Sequence, residues 1–220
     1  MNSPVSASMP PGYDAPSHSE AAPGVLVLHA WWGLNDDVRR YCDALAQAGF
    51  HAFAPDLYQG QVVTTIDAAE AAANAMDRQQ AMATMEQAAH WLAQQTGETE
   101  SGVAAVGFSL GAFQGLGLSI AQPSLLHSVV SYYAARPDEY QAATARYQAH
   151  LADDDPFATD EEIDEWRDAL QQAGRPLDLH RYPGTGHWFA EPLRSDVYQP
   201  EAADMAFQRT LAFLRAGAED

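Results

Sequence analysis

Val103-Ala-Ala-Val-Gly-Phe-Ser-Leu-Gly-Ala-Phe-Gln-Gly115 (VAAVGFSLGAFQG, residues 103–115) ends an apolar run on a serine held between two glycines. Seven residues, GVAAVGF (102–108), are enough for a buried strand and too few for a helix, while LGAFQGLGLSIAQ (110–122) has helical patterning. Gly107-Phe108-Ser109-Leu110-Gly111 thus reads as a G-x-S-x-G nucleophile elbow, a sharp strand-to-helix turn. A Cβ at either glycine would collide with the neighbouring strand or helix. The turn sets Ser109 at a helix N-terminus, where free N–H groups and the helix dipole favour developing negative charge.

The same alternation extends in both directions. GVLVLHA (24–30) and FHAFAPDLY (50–58) read as strands on either side of NDDVRRYCDALAQAG (35–49), a helix with an Asn cap and a closing glycine. Residues 64–97 are helix-forming, with a break near Asp77. Strand HSVVSYY (127–133), strand ARYQAHLA (145–152), helix TDEEIDEWRDALQQAG (159–174), strand PLDLHRY (176–182) and helix PEAADMAFQRTLAFLRAG (200–217) follow. Such alternation predicts an α/β domain over 24–220, a mostly parallel sheet with helices on both faces. The Pro/Ser/Ala/Gly-rich residues 1–23 are expected to form a mobile arm or a loosely held edge, and they lack the charged and apolar blocks of a secretory signal.

Composition narrows the function classes. The 220 residues carry 30 acidic against 11 basic side chains, a formal charge of −19. That charge disfavours nucleic acid and an anionic membrane as partners, and no apolar run is long enough to span a bilayer. The single Cys42 excludes an internal disulfide and fits a reducing, cytoplasmic setting; it reads as a packed thiol. Neither a metal-ligand spacing nor a dinucleotide fingerprint is found, so no metal or cofactor is expected.

A serine hydroxyl needs a base, and the base an orienting acid. On a strand–elbow–helix architecture these follow in the order Ser, Asp/Glu, His. Of the histidines after Ser109, His127 and His150 precede or sit inside strands and His180 lies within one. His187, in YPGTGHWF beyond a strand end, is the candidate base. The acid should leave the preceding strand, where Asp153, Asp154 and Asp155 stand together, and spacing does not separate them. The oxyanion donors are expected to be the backbone N–H groups of Leu110 and of Trp31 in the early turn LHAWWG.

Together these segments resemble the dienelactone hydrolase family of α/β-hydrolase-fold enzymes, over about residues 24–217. GVLVLHAWWGLNDD, APDLY, VGFSLGA, LADDDPF and YPGTGHWFA occur in the family's order. The resemblance implies that the acid is Asp155, which stands just before Pro156-Phe157. It also implies three departures. Ser109 replaces the family's nucleophilic cysteine, and Ala30 stands in place of a glutamate that assists the thiol. Glu191 occupies the position of a substrate-carboxylate arginine, for which Arg194 or Arg78 are the available substitutes. The expected activity is cleavage of a small ester or lactone through an acyl-enzyme, with Trp32, Phe108, Trp188 and Glu191 as pocket candidates. Alternatives are a thioesterase or other acyl hydrolase, and, in another class, a non-catalytic ligand-binding protein on the same fold.

Overall fold

The computed structural model describes residues 8–19, 22–175 and 177–217. Its strands are β1 (Gly12–Ala15), β2 (Gly24–Leu28), β3 (His51–Pro55), β4 (Val103–Phe108), β5 (Leu126–Tyr132), β6 (Arg146–Asp154) and β7 (Leu177–Gly186). The helices are α1 (Asp36–Gln47), α2 (Ile66–Ala75), α3 (Arg78–Thr96), α4 (Leu110–Ala121), α5 (Asp160–Gln172) and α6 (Pro200–Gly217). The seven strands form one sheet in the order β1-β3-β2-β4-β5-β6-β7, parallel throughout except for β1.

Alternation along β2 assigns the two faces. Leu26 and Leu28 pack with Met85 and Leu92 of α3, Leu116 of α4 and Trp166 of α5. Val25 and Val27 pack with Cys42 and Leu45 of α1 and with Leu211 and Leu214 of α6. Both faces of β2 and β4 are therefore dry, as a helix-covered parallel sheet requires. The helix ends fall where side chains cap them. Asn35 accepts from the N–H groups of Asp37 and Val38, Asp77 caps α3 and so separates it from α2, and Thr159 and Glu162 form a reciprocal capping box on α5.

Three boundaries depart from expectation. β3 stops at Pro55, because the Asp56 carboxylate turns the chain by accepting the Tyr58 N–H at 3.0 Å. β7 continues four residues past Tyr182, running through Pro183, which an edge strand tolerates since one side of it needs no donors. Within the segment expected to be an arm or a loose edge, Gly12–Ala15 forms the outermost strand, antiparallel to β3. It is anchored by Tyr13 donating to Asp43 at 2.8 Å and by a His51–Asp14 contact of 2.7 Å. Residues 1–7, 20 and 21 of that segment lie outside the described residues.

Candidate active site

Five strand ends converge on one edge of the sheet: His29–Trp31 after β2, Ser109 after β4, Tyr133 after β5, Asp155 after β6 and His187 after β7. This is the carboxyl edge, where parallel sheets place their ligands.

Ser109 adopts φ 49° and ψ −113°, a conformation rare for a residue with a side chain, and it is held there by its surroundings. Its N–H donates to the Tyr132 carbonyl at 2.9 Å, and the Phe113 N–H donates to the Ser109 carbonyl at 3.0 Å. The flanking glycines are dictated by contact. A Cβ on Gly107 would lie 2.5 Å from the Ala112 Cα, and one on Gly111 would run into the carbonyl oxygens of Leu28 and His29. The elbow thus exists because α4 and β2 approach with no room for a side chain.

The Ser109 hydroxyl donates to His187 Nε2 at 2.8 Å. On the far side of the ring, His187 Nδ1 lies 2.8 Å from both carboxylate oxygens of Asp155, which fixes the proton-bearing nitrogen as Nδ1. Both side chains are 4% exposed. Of the three aspartates that spacing left equivalent, Asp155 reaches the imidazole. Asp153 accepts the Gly184 N–H at 3.3 Å, and Asp154 is an exposed strand residue. Phe157 donates its N–H to Asp155 Oδ1 at 2.9 Å and lays its ring 4.8 Å from the imidazole.

Leu110 opens α4, so its N–H has no carbonyl within the helix to bond. Trp31 sits in the turn after β2, which buried His29 braces. His29 Nδ1 lies 2.6 Å from the Ala30 carbonyl, and Nε2 accepts the Leu57 N–H at 3.2 Å. Burial pushes the His29 pKa down, so the ring is a neutral strut between the ends of β2 and β3. Sequence reasoning missed it. Its signal was a histidine at the end of an otherwise apolar strand.

Trp31, Ser109, Leu110, Phe113, Tyr133 and Trp188 line a cleft of about 230 Å³, together with His187, Phe157 and two alanines. Three expected pocket residues lie elsewhere. Phe108 turns to the α1/α6 face, its ring 4.9 Å from Tyr41 and 4.7 Å from Tyr132, because the residue before the elbow points opposite to it on the strand. Trp32 is 3% exposed behind Trp31 and Trp188. Glu191 faces a separate pocket of about 20 Å³ with Asp37, Tyr41 and Phe108, too small for an organic ligand. Desolvation, then the nearby Asp37 charge, push the Glu191 carboxyl up to about 8.

Neither arginine offered as a substitute reaches the cleft. Arg194 stacks 4.7 Å from Trp32 and 4.4 Å from Trp188 and pairs with Asp196 through Nε at 3.1 Å and Nη2 at 2.8 Å. Arg78 is an exposed residue at the start of α3. Cys42 is on the buried face of α1, where desolvation raises its pKa and removes it from thiolate chemistry. A wider groove of about 800 Å³ between residues 56–61 and helices α2 and α3 is lined by neither serine nor histidine. Among the described residues, no three His, Cys, Asp or Glu side chains are grouped to hold a metal ion, and no helix is long and apolar enough to cross a membrane.

A family model described as the dienelactone hydrolase family matches residues 11–217. The chain belongs to the dienelactone hydrolase family. It is accordingly a hydrolase of the ester or lactone class on an α/β-hydrolase fold. The match begins at residue 11, so it takes in the edge strand β1 as well as the segments that carried the resemblance. Among curated relatives, "Protein usf" of Aquifex pyrophilus is 28% identical over 204 residues, covering 88% of this chain and 87% of that protein. The "Probable 2-oxo-3-(5-oxofuran-2-ylidene)propanoate lactonase" of Bradyrhizobium is 28% identical over 208 residues, covering 88% and 83%. Among solved structures, a dienelactone hydrolase-like promiscuous phosphotriesterase from metagenomic libraries superposes with a TM-score of 0.81. It is 22% identical, covers 90% of this chain and 87% of that one, and bears on the fold alone.

Proposed function

We propose that this dienelactone hydrolase family member cleaves a small ester or lactone by covalent catalysis at Ser109, with His187 as general base and acid and Asp155 as its orienting partner. The reading is carried by the unbroken hydrogen-bonded line from the Ser109 hydroxyl through the imidazole to the carboxylate. Nε2 takes the hydroxyl proton as Oγ bonds to the substrate carbonyl carbon. The oxyanion is received by the N–H groups of Leu110 and Trp31, and the imidazolium is offset by Asp155. Collapse breaks the bond to the leaving oxygen, which departs with the proton from Nε2. Water, deprotonated by the same nitrogen, then releases the acid and restores the serine, so ester and water become acid and alcohol. A serine needs no auxiliary glutamate to ionise it, which agrees with the buried Ala30 beside the strut histidine.

The test is a fluorophosphonate label with a short-chain aryl ester assay. The parent protein should label at Ser109 and turn over the ester. Ser109→Ala should lose both, with kcat reduced at least about a thousandfold and the thermal transition unmoved. Unchanged turnover in that variant, or labelling at another residue, would overturn the assignment.

A further inference from the structure

The substrate class of the Ser109 cleft is legible in its walls, and the inference rests on the hydrolase reading above. The chain has no lysine, and its permanently charged cations are eleven arginines. None of them lines the cleft. The one that adjoins it in sequence, Arg136 after Ala135, is committed elsewhere. It pairs with Asp138 through Nε at 3.1 Å and Nη2 at 3.0 Å, and Nη1 donates to the Phe113 carbonyl at 3.3 Å. Its guanidinium lies 4.3 Å from the Phe113 ring centroid, so it braces the outside of the wall. Arg194 is occupied behind Trp188 by Asp196 and two indoles.

What the cleft does present is aromatic. Trp31 and Trp188 stack with centroids 5.8 Å apart and planes 27° apart, and Phe157 meets Trp31 edge-on at 5.8 Å. Phe113 and Phe157 at the mouth are 42% and 53% exposed, whereas the other Phe, Tyr and Trp rings among the described residues are buried or half-buried. Large apolar side chains left exposed together around a nucleophile form a binding surface. A bound carboxylate would lose its hydration to these rings and gain no cation in return, with Asp155 and the overall charge of −19 opposing it.

We propose that the cleft is selective for uncharged esters bearing a flat aromatic or unsaturated group, laid against Trp31, Phe113, Phe157 and Trp188, and that it rejects substrates carrying a carboxylate. Phe113 and Phe157 are the specificity-determining residues at its mouth. This sets the chain apart from the relative named for a propanoate.

The experiment compares phenyl acetate with 4-acetoxybenzoate, which has the same scissile bond and one added carboxylate. It is run in high salt, so that the long-range field of the acidic protein is screened and the wall itself is read. The neutral ester should be favoured about tenfold or more in kcat/KM. Phe157→Ala and Phe113→Ala should each raise KM for phenyl acetate several-fold, and by a larger factor than for ethyl acetate. Equal or better turnover of the carboxylate ester overturns the proposal. If Ser109 takes no fluorophosphonate and neither ester is cleaved, the hydrolase reading falls instead. Selectivity is then decided by tryptophan quenching as Ser109→Ala is titrated with the two esters. Tighter binding of the neutral one supports the proposal, and equal or tighter binding of the anion overturns it.

Discussion

Asp154 of β6 and Gly186 of β7 are register partners, and that pairing places the residues just beyond the two strand ends, Asp155 and His187, side by side. The register slips between Ala152 and Asp154, and β7 is correspondingly long. A one-residue shift in pairing would carry the imidazole to the other face of the sheet. The contact between Asp155 and His187 is therefore fixed by strand pairing 32 residues apart in the chain, with side-chain conformation a later detail.

The first prediction follows from that register. Asp155→Asn should retain the fold and lower kcat by about ten-thousandfold, since an amide cannot hold the proton on Nδ1 or offset the imidazolium. Asp153→Asn and Asp154→Asn should stay within a few-fold of the parent. Steady-state kinetics on the three variants decide it; equal losses at all three would remove Asp155 from its role.

Two glycines of α4 should behave oppositely. Gly111→Ala drives a methyl into the Leu28 and His29 carbonyls, backbone atoms that cannot yield without parting α4 from β2. It should cost at least about 3 kcal/mol. Gly115→Ala meets only the Leu28 Cδ1 at 3.0 Å, the end of a side chain that can shift. A gain of up to ~1 kcal/mol in helix propensity should then leave it near the parent. Urea unfolding of both variants measures the contrast.

Glu191 gives stability a definite pH dependence. Its carboxyl is raised by burial to about 8 in the folded protein, against an ordinary 4.5 in the unfolded chain. Between those values the native state holds a proton that the unfolded chain has released, so stability falls as pH rises through the window and levels off above it. Glu191→Gln should match the parent near pH 5 and exceed it by at least about 1 kcal/mol at pH 9, some 2–4 °C in Tm. Parallel melting curves for the two proteins across this range would refute the assignment.

His29 should matter to rate through the turn it braces. His29→Leu leaves the Leu57 N–H and the Ala30 carbonyl without their imidazole partner, at about 1–3 kcal/mol of stability. If the brace sets the Trp31 N–H, kcat should fall about tenfold with KM little changed and fluorophosphonate labelling still complete. A loss of stability with unaltered kcat would reduce His29 to a packing role.

Much of this was written in local sequence. The alternation of short apolar runs with capped helices carried the sheet. Asp77 marked the break between α2 and α3, and the glycines around Ser109 marked the elbow. These features depend on residues within a turn or two of each other, so the chain displays them directly. Tyr133, Phe113 and Phe157 were less visible as cleft residues, because an aromatic ring reads alike whether it ends in the core or at a mouth.

The sequence by itself determined the fold class and the strand–elbow–helix turn at Ser109, because strand length, helix capping and the space left by a missing Cβ are local properties. Tertiary structure alone separated Asp155 from its two neighbours on geometric grounds. It also drew Gly12–Ala15 into the sheet, turned Phe108, Trp32 and Glu191 away from the cleft, and left the cleft without a cation. Each of those outcomes depends on pairing register and on which face a side chain takes against elements distant in the chain, and no neighbourhood of a few residues contains that information.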